Sequence, residues 1–171
     1  MPLAQGFVGL EPALHDIKAF DCGKHSLNTF LVRFAAKHAR LGISSTWVLT
    51  EADATDKTSI AAFFTLAGQT VTREDIPAQK RSLPRFQLPV VLLAQLGVSL
   101  THAGQGLGEK TLVTALRKAV ELTDKGLPAI GIVLDVLDED ALGFYQHFGA
   151  FESFSHNPMR LFMPMAVARQ L

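Results

Sequence analysis

The feature that most narrows the fold is the apolar run Val90-Val91-Leu92-Leu93-Ala94-Gln95-Leu96-Gly97-Val98-Ser99-Leu100. It leads through Thr101-His102 into Ala103-Gly104-Gln105-Gly106-Leu107-Gly108. The run is apolar at both alternating sets of positions, as a strand covered on both faces must be. Behind the glycines, Leu107, Leu112, Val113, Leu116, Ala119, Val120 and Leu122 suit a helix packed on a sheet, stopped by Gly126 with Pro128 beyond. Ile130–Val136 supplies a second buried strand. A strand, a glycine turn, a helix and another strand in that order predict an α/β protein.

The remaining segments fit that class. Phe7–Leu10 reads as a short strand closed by Pro12. Ser26 is placed to cap a helix in which Leu27, Phe30, Leu31, Phe34, Ala35, His38 and Leu41 follow at steps of three and four, with Gly42 as its stop. The opposite face carries Arg33, Lys37 and Arg40. No Asp or Glu occurs from Cys22 to Thr50, so this helix is a local basic stripe.

Thr46–Thr50 and Ile60–Leu66, joined by a polar loop, predict a hairpin. Arg73–Pro89 holds three prolines and the basic trio Lys80, Arg81 and Arg85, and reads as a long surface connection. Asp138-Glu139-Asp140 opens a helix that runs to Phe148 and closes at Gly149. Phe151–Phe154 and Met159–Met165 are strand candidates.

Composition excludes several classes. A chain of 171 residues with 48% apolar content fits one folded domain, 1–171, and is too apolar for wholesale disorder. Sixteen basic against sixteen acidic side chains leave no global field to attract nucleic acid, so an anionic partner must be met by local patches. The single cysteine, Cys22, forms no internal disulfide and offers no thiolate cluster for zinc. The six histidines show no metal spacing, so no metal is expected. No apolar stretch approaches the roughly 20 residues that cross a bilayer, and the N-terminus lacks a basic region followed by an apolar run. A soluble, cytoplasmic protein with no membrane association is the expectation.

The glycine turn carries the chemistry. Small residues let backbone N–H groups face a ligand, and the helix N-terminus adds about half a positive elementary charge. Together they suit a phosphate. A tight strand-to-helix turn accounts for spaced glycines equally well. Glu109 rather than Lys follows Gly108, so the pattern is not a Walker loop. Asp135 lies too far downstream for a Rossmann ribose contact. A nucleotide-diphosphate cofactor of another kind remains.

Downstream stands Ala141-Leu142-Gly143-Phe144-Tyr145-Gln146-His147-Phe148-Gly149-Ala150-Phe151, with the only tyrosine of the chain. The glycine turn and this Phe-Tyr-x-x-x-Gly-x-Phe segment resemble the diphosphate motif and closing helix of the GNAT superfamily of acetyl-CoA-dependent N-acetyltransferases. A narrower resemblance is to the GNAT toxins of bacterial toxin–antitoxin pairs. It rests on Phe20-Asp21-Cys22-Gly23-x-x-Ser26-Leu27-Asn28-x-Phe30-Leu31, Thr46-Trp47-Val48, Pro89–Val98 and Met159-x-Leu161.

The resemblance implies a GNAT fold, a mixed sheet splayed between the parallel strands 92–100 and 130–136 and flanked by helices. It implies acetyl-CoA as cofactor, held by Leu96, Gly97, Val98, Ala103, Gly104, Gln105, Gly106, Leu107, Gly108, Phe144 and Phe148. It also implies acetylation of the α-amine of aminoacyl-tRNA, which stops translation, a ribbon-helix-helix antitoxin and a homodimer. Tyr145 takes the place of the acid that protonates the leaving thiolate, and the N–H groups near Leu96 and Val98 polarise the acetyl carbonyl. Arg33, Lys37, Arg40, Lys80, Arg81 and Arg85 are the expected tRNA contacts.

Three positions depart from the pattern. Ala103 stands where the superfamily has Gln or Arg, Gln95 where the toxins often carry Arg, and Ala150 where an aromatic residue is usual. A GNAT enzyme acting on a small-molecule or protein amine is the alternative, and a non-catalytic partner-binding domain a second one.

Overall fold

The computed structural model describes residues 2–52, 56–77 and 82–171. The chain divides into two compact units, Met1–Ala67 with Gln95–Ala115, and Gly68–Ala94 with Leu116–Leu171. It is a mixed α/β protein, with both parallel and antiparallel strand pairs and helices between them.

In the first unit, β1 (Val8–Gly9) pairs antiparallel with β3 (Ser45–Thr50), Val8 facing Val48. β3 pairs antiparallel with β4 (Thr58–Val71), Trp47 opposite Phe64 and Val48 opposite Phe63, with a register shift at Leu49/Thr50. This is the expected hairpin, with a second strand longer than its apolar run. β2 (His15–Asp16), which has no marked sequence signal, pairs parallel with the start of β4.

Successive residues of β4 point to opposite faces, and both faces are filled. Phe63 belongs to a cluster with Phe20, Leu31, Ala35, Val48 and Ile60. Phe64 stacks on Trp47 at 5.2 Å between centroids and meets Phe7 at 5.4 Å. The end of β5 (Leu88–Val98) joins this unit, where the Ser99 N–H donates to the Ala61 carbonyl at 2.8 Å.

The helix expected over 26–41 is three pieces: α1 (His25–Thr29), a π turn (Phe30–Phe34) and α2 (Ala35–Arg40). A π turn holds an extra residue and rotates everything after it by about 100° around the axis. The apolar face is therefore not continuous. Leu31 and Ala35 are buried, whereas Phe34 and Leu41, expected on the same face, are exposed. Ser26 is not the cap: Lys24 holds the N-cap position, and the amides before the helix are taken by Asp21 and Asn28.

In the second unit, β5 pairs parallel with β6 (Gly131–Asp135) at Val91–Ile132 and Leu92–Val133. β6 pairs antiparallel with β8 (Asn157–Pro164), and β8 with β7 (Glu152–Phe154). The core gathers Val71, Ile76, Leu88, Val90, Val133, Phe154 and Phe162. Ile76 is buried near the start of the stretch expected as a surface connection.

The long helix α3 (Leu107–Asp124) carries residues of both units. α4 (Glu139–Phe148) is capped by Asp138, whose Oδ1 accepts from the Ala141 N–H at 2.9 Å, as the acidic triplet predicted. The last strand stops at Pro164, one residue short of its expected end at Met165, and Met165 instead opens α5 (Met165–Ala168).

Candidate functional site

In the first unit, β5 ends at Val98 rather than Leu100. Ser99 then caps a single 3₁₀ turn, Leu100–His102. Gly97 lies against the aromatic cluster: a Cβ there would sit 3.0 Å from Phe63 Cε1 and 3.6 Å from Phe20 Cζ. Leu96 and Val98 on either side are half-buried.

Past the 3₁₀ turn, Gly104 and Gly106 have φ of +79° and +73°, values that L side chains rarely adopt. Ala103, Gly104, Gln105 and Gly106 are exposed, and the space where a Cβ would stand at either left-handed glycine is open. Leu107 is buried with Leu49, Ala61 and Ala62, which pins the first residue of α3; Gly108 follows inside the helix. The first amides of an α-helix have no intrahelical acceptor, so an exposed turn with two glycines open to solvent stands at the positive end of an 18-residue helix. That arrangement can take a phosphate group from solvent.

The Phe20–Leu31 segment is a scaffold for this junction. The Asp21 carboxylate accepts from the Gly23 N–H at 2.8 Å and from the Asn28 amide at 2.9 Å. These bonds hold its pKa below the usual carboxylate value. Asn28 Oδ1 accepts the Cys22 N–H at 3.0 Å. The locked turn presents the Asp21 carbonyl to the Leu100 N–H at 2.9 Å. Cys22 is half-buried, and burial pushes its thiol pKa up, the opposite of what a nucleophilic thiolate needs. The sequence offered these residues as a signature without showing what they hold.

Tyr145 lies in the second unit on α4, only 8% exposed. Its ring meets Phe144 and Phe151 edge-on, at 5.1 and 5.8 Å, and Phe148 meets Phe151 at 6.0 Å. Burial pushes the Tyr145 pKa up to about 12. The phenol therefore keeps its proton throughout the neutral range and is available as an acid rather than as a base.

Arg33, Lys37 and Arg40 are exposed in the first unit, and Arg85 in the second. Lys80 and Arg81 lie outside the described residues. Among the described residues, no group of three His, Cys, Asp or Glu side chains is placed to hold a metal ion. No described helix is long and apolar enough to cross a membrane.

No protein-family model matches the chain. A curated relative from Mycobacterium tuberculosis, named tRNA-acetylating toxin, is 33% identical over 158 residues, covering 91% of this chain and 90% of its own. The chain belongs to the GNAT toxins. Among solved structures of this GNAT toxin family, a tyrosine-to-phenylalanine mutant of KacT is 26% identical and superposes with a TM-score of 0.89, covering 99% of both chains. AtaT complexed with acetyl-methionyl-tRNAfMet is 24% identical, with a TM-score of 0.86 and 98% of both chains covered; AtaT has also been solved with acetyl-CoA and with the C-terminus of its antitoxin AtaR. The fold of the present GNAT toxin is thus the GNAT fold.

Proposed function

We propose that this chain is an N-acetyltransferase that moves the acetyl group of acetyl-CoA onto the α-amine of aminoacyl-tRNA and thereby stops translation. The observation that carries the reading is the open, left-handed glycine turn at the head of α3, in a chain 33% identical to a tRNA-acetylating toxin.

The turn fits the cofactor's diphosphate, because a Cβ at Gly104 or Gly106 would occupy the space through which a phosphate oxygen approaches the backbone. Backbone donors from Ala103 to Gly108 are the proposed diphosphate contacts. Leu96, Gly97 and Val98 would lie along the pantetheine, and Phe144 and Phe148 would complete its surroundings. When bound, acetyl-CoA supplies the activated acetyl thioester.

The amides near Leu96 and Val98 are the proposed donors to the acetyl oxygen, whose charge grows during attack. Tyr145 holds its proton at neutral pH and gives it to the departing sulfur. The amine of an aminoacyl ester is weakly basic, so it attacks without a dedicated base, and water takes the proton that the nitrogen sheds as the amide forms. Arg33, Lys37, Arg40 and Arg85, with Lys80 and Arg81, meet tRNA phosphates.

The same reading extends over residues 1–171 as one cytoplasmic GNAT domain. Its partners are a neutralising antitoxin of ribbon-helix-helix type and a second copy of the chain.

The test incubates charged tRNA with acetyl-labelled acetyl-CoA. Transfer of label to the aminoacyl amine is expected, and its absence with correctly folded wild type overturns the reading. Replacing Arg33, Lys37 and Arg40 together by Ala should raise the KM for charged tRNA and flatten its salt dependence. Unchanged kinetics would point to an amine acceptor without a phosphate backbone.

A further inference from the structure

We infer that His102, paired with Glu51, is a positioning residue that fixes the entrance of the glycine turn for the cofactor diphosphate, an inference that rests on the function proposed above. His102 immediately precedes Ala103, and its side chain is only 8% exposed although its neighbours Thr101 and Ala103 are exposed. Nε2 stands 3.5 Å from Glu51 Oε1, the carboxylate being 18% exposed, and Nδ1 stands 3.0 Å from Thr101 Oγ1. Thr101 Oγ1 is in turn 2.9 Å from Ser99 Oγ.

The proton pattern is consistent along this row. With the imidazole proton on Nε2 facing the carboxylate, Nδ1 accepts from the Thr101 hydroxyl, and Thr101 Oγ1 accepts from Ser99. Four side chains from the end of β3, the end of β5 and the 3₁₀ turn are thereby joined.

Among the described residues, two backbone bonds also tie the segment from Ser99 to His102: Ser99 N–H to the Ala61 carbonyl and Leu100 N–H to the Asp21 carbonyl. Those hold its beginning. The His102–Glu51 pair holds its end, next to Gly104, where the chain enters left-handed backbone. His102 is buried, while its partners Glu51, Ser99 and Thr101 border a cavity of about 170 Å³. A glycine turn is intrinsically loose. Backbone donors bind a diphosphate well only when their directions are set beforehand. A side chain anchored one residue before the turn supplies that restraint.

The experiment compares wild type with His102→Phe, which fills the space without pairing, His102→Gln, whose amide can both donate to Glu51 and accept from Thr101, and Glu51→Gln. Acetyl-CoA affinity by calorimetry, KM and kcat, and amide hydrogen exchange of residues 103–108 in the unliganded protein are measured together. His102→Phe should raise Kd and KM for acetyl-CoA on the order of tenfold, with kcat within about twofold and faster exchange over the turn. His102→Gln should recover most of the affinity, and Glu51→Gln should fall between.

Wild-type affinity and unchanged exchange in His102→Phe would overturn the inference, because packing alone would then suffice. A wild type that binds no acetyl-CoA removes the functional reading instead. In that case the exchange comparison alone decides whether the anchor exists: faster exchange supports it and unchanged exchange overturns it.

Discussion

The amide of Leu100 donates to the carbonyl of Asp21 at 2.9 Å, joining the turn after β5 to a loop nearly eighty residues earlier in the chain. The Asp21 carbonyl is available because its side chain and that of Asn28 have already satisfied the amides around it.

Asn28→Ala removes an acceptor for the Cys22 amide and a donor to Asp21. It should cost about 1–2 kcal/mol of stability, read as a lower midpoint in denaturant. The Asp21 pKa is lowered in the folded state by the Gly23 amide and the Asn28 side chain. Its contribution is therefore present above the ordinary carboxylate pKa of about 4 and is lost as pH falls through the folded value. Thermal scans from neutral to acid pH should show a smaller loss in Asp21→Asn than in wild type.

Tyr145→Phe keeps the ring contacts with Phe144 and Phe151 and deletes the hydroxyl proposed as the acid. Turnover should fall by about 10²–10⁴ with little change in fold. The phenol's folded pKa of about 12 lies above its ordinary value of 10. Its neutral form therefore stabilises the folded state fully below pH 10, and that contribution is lost as pH rises toward 12. Melting temperature across that alkaline window should drop less in Tyr145→Phe. Parallel curves for the two proteins would contradict the buried phenol.

Gly97→Ala would put a Cβ 3.0 Å from Phe63, which is fully buried and closed in by Phe20 on its edge. The Phe63 ring must give way against Phe20 to admit the methyl group, so the substitution should destabilise by about 1–3 kcal/mol, as overpacked cores do. Chemical denaturation checks this directly.

Ala150 has a φ of +66°, the sole positive value among non-glycine residues of the described chain. Gly149 before it, at +80°, ends α4, and its N–H donates to the Tyr145 carbonyl at 3.1 Å. Ala150→Gly should relieve about 1 kcal/mol of left-handed strain, partly offset by the greater freedom of the unfolded chain. A net gain in melting temperature with unchanged kcat is the expected outcome.

The sequence alone determined whatever depends on local pattern. Alternating and continuous apolar runs marked β3, β5 and β6, and Asp138 marked the start of α4, because strand burial and helix capping are written in neighbouring residues. The glycine turn and the lone tyrosine were legible for the same reason. What only the tertiary structure decided involves partners distant in the chain. The π turn at Phe30–Phe34 turned Phe34 and Leu41 outward, although their spacing assigned them to the core. The Phe20–Leu31 signature acquired a role only when Asp21 met Leu100. His102 and Glu51 became a pair only when the end of β3 and the turn after β5 were each bonded to β4. Periodicity records which face of an element is apolar, whereas a hydrogen bond between two loops depends on where folding carries each of them.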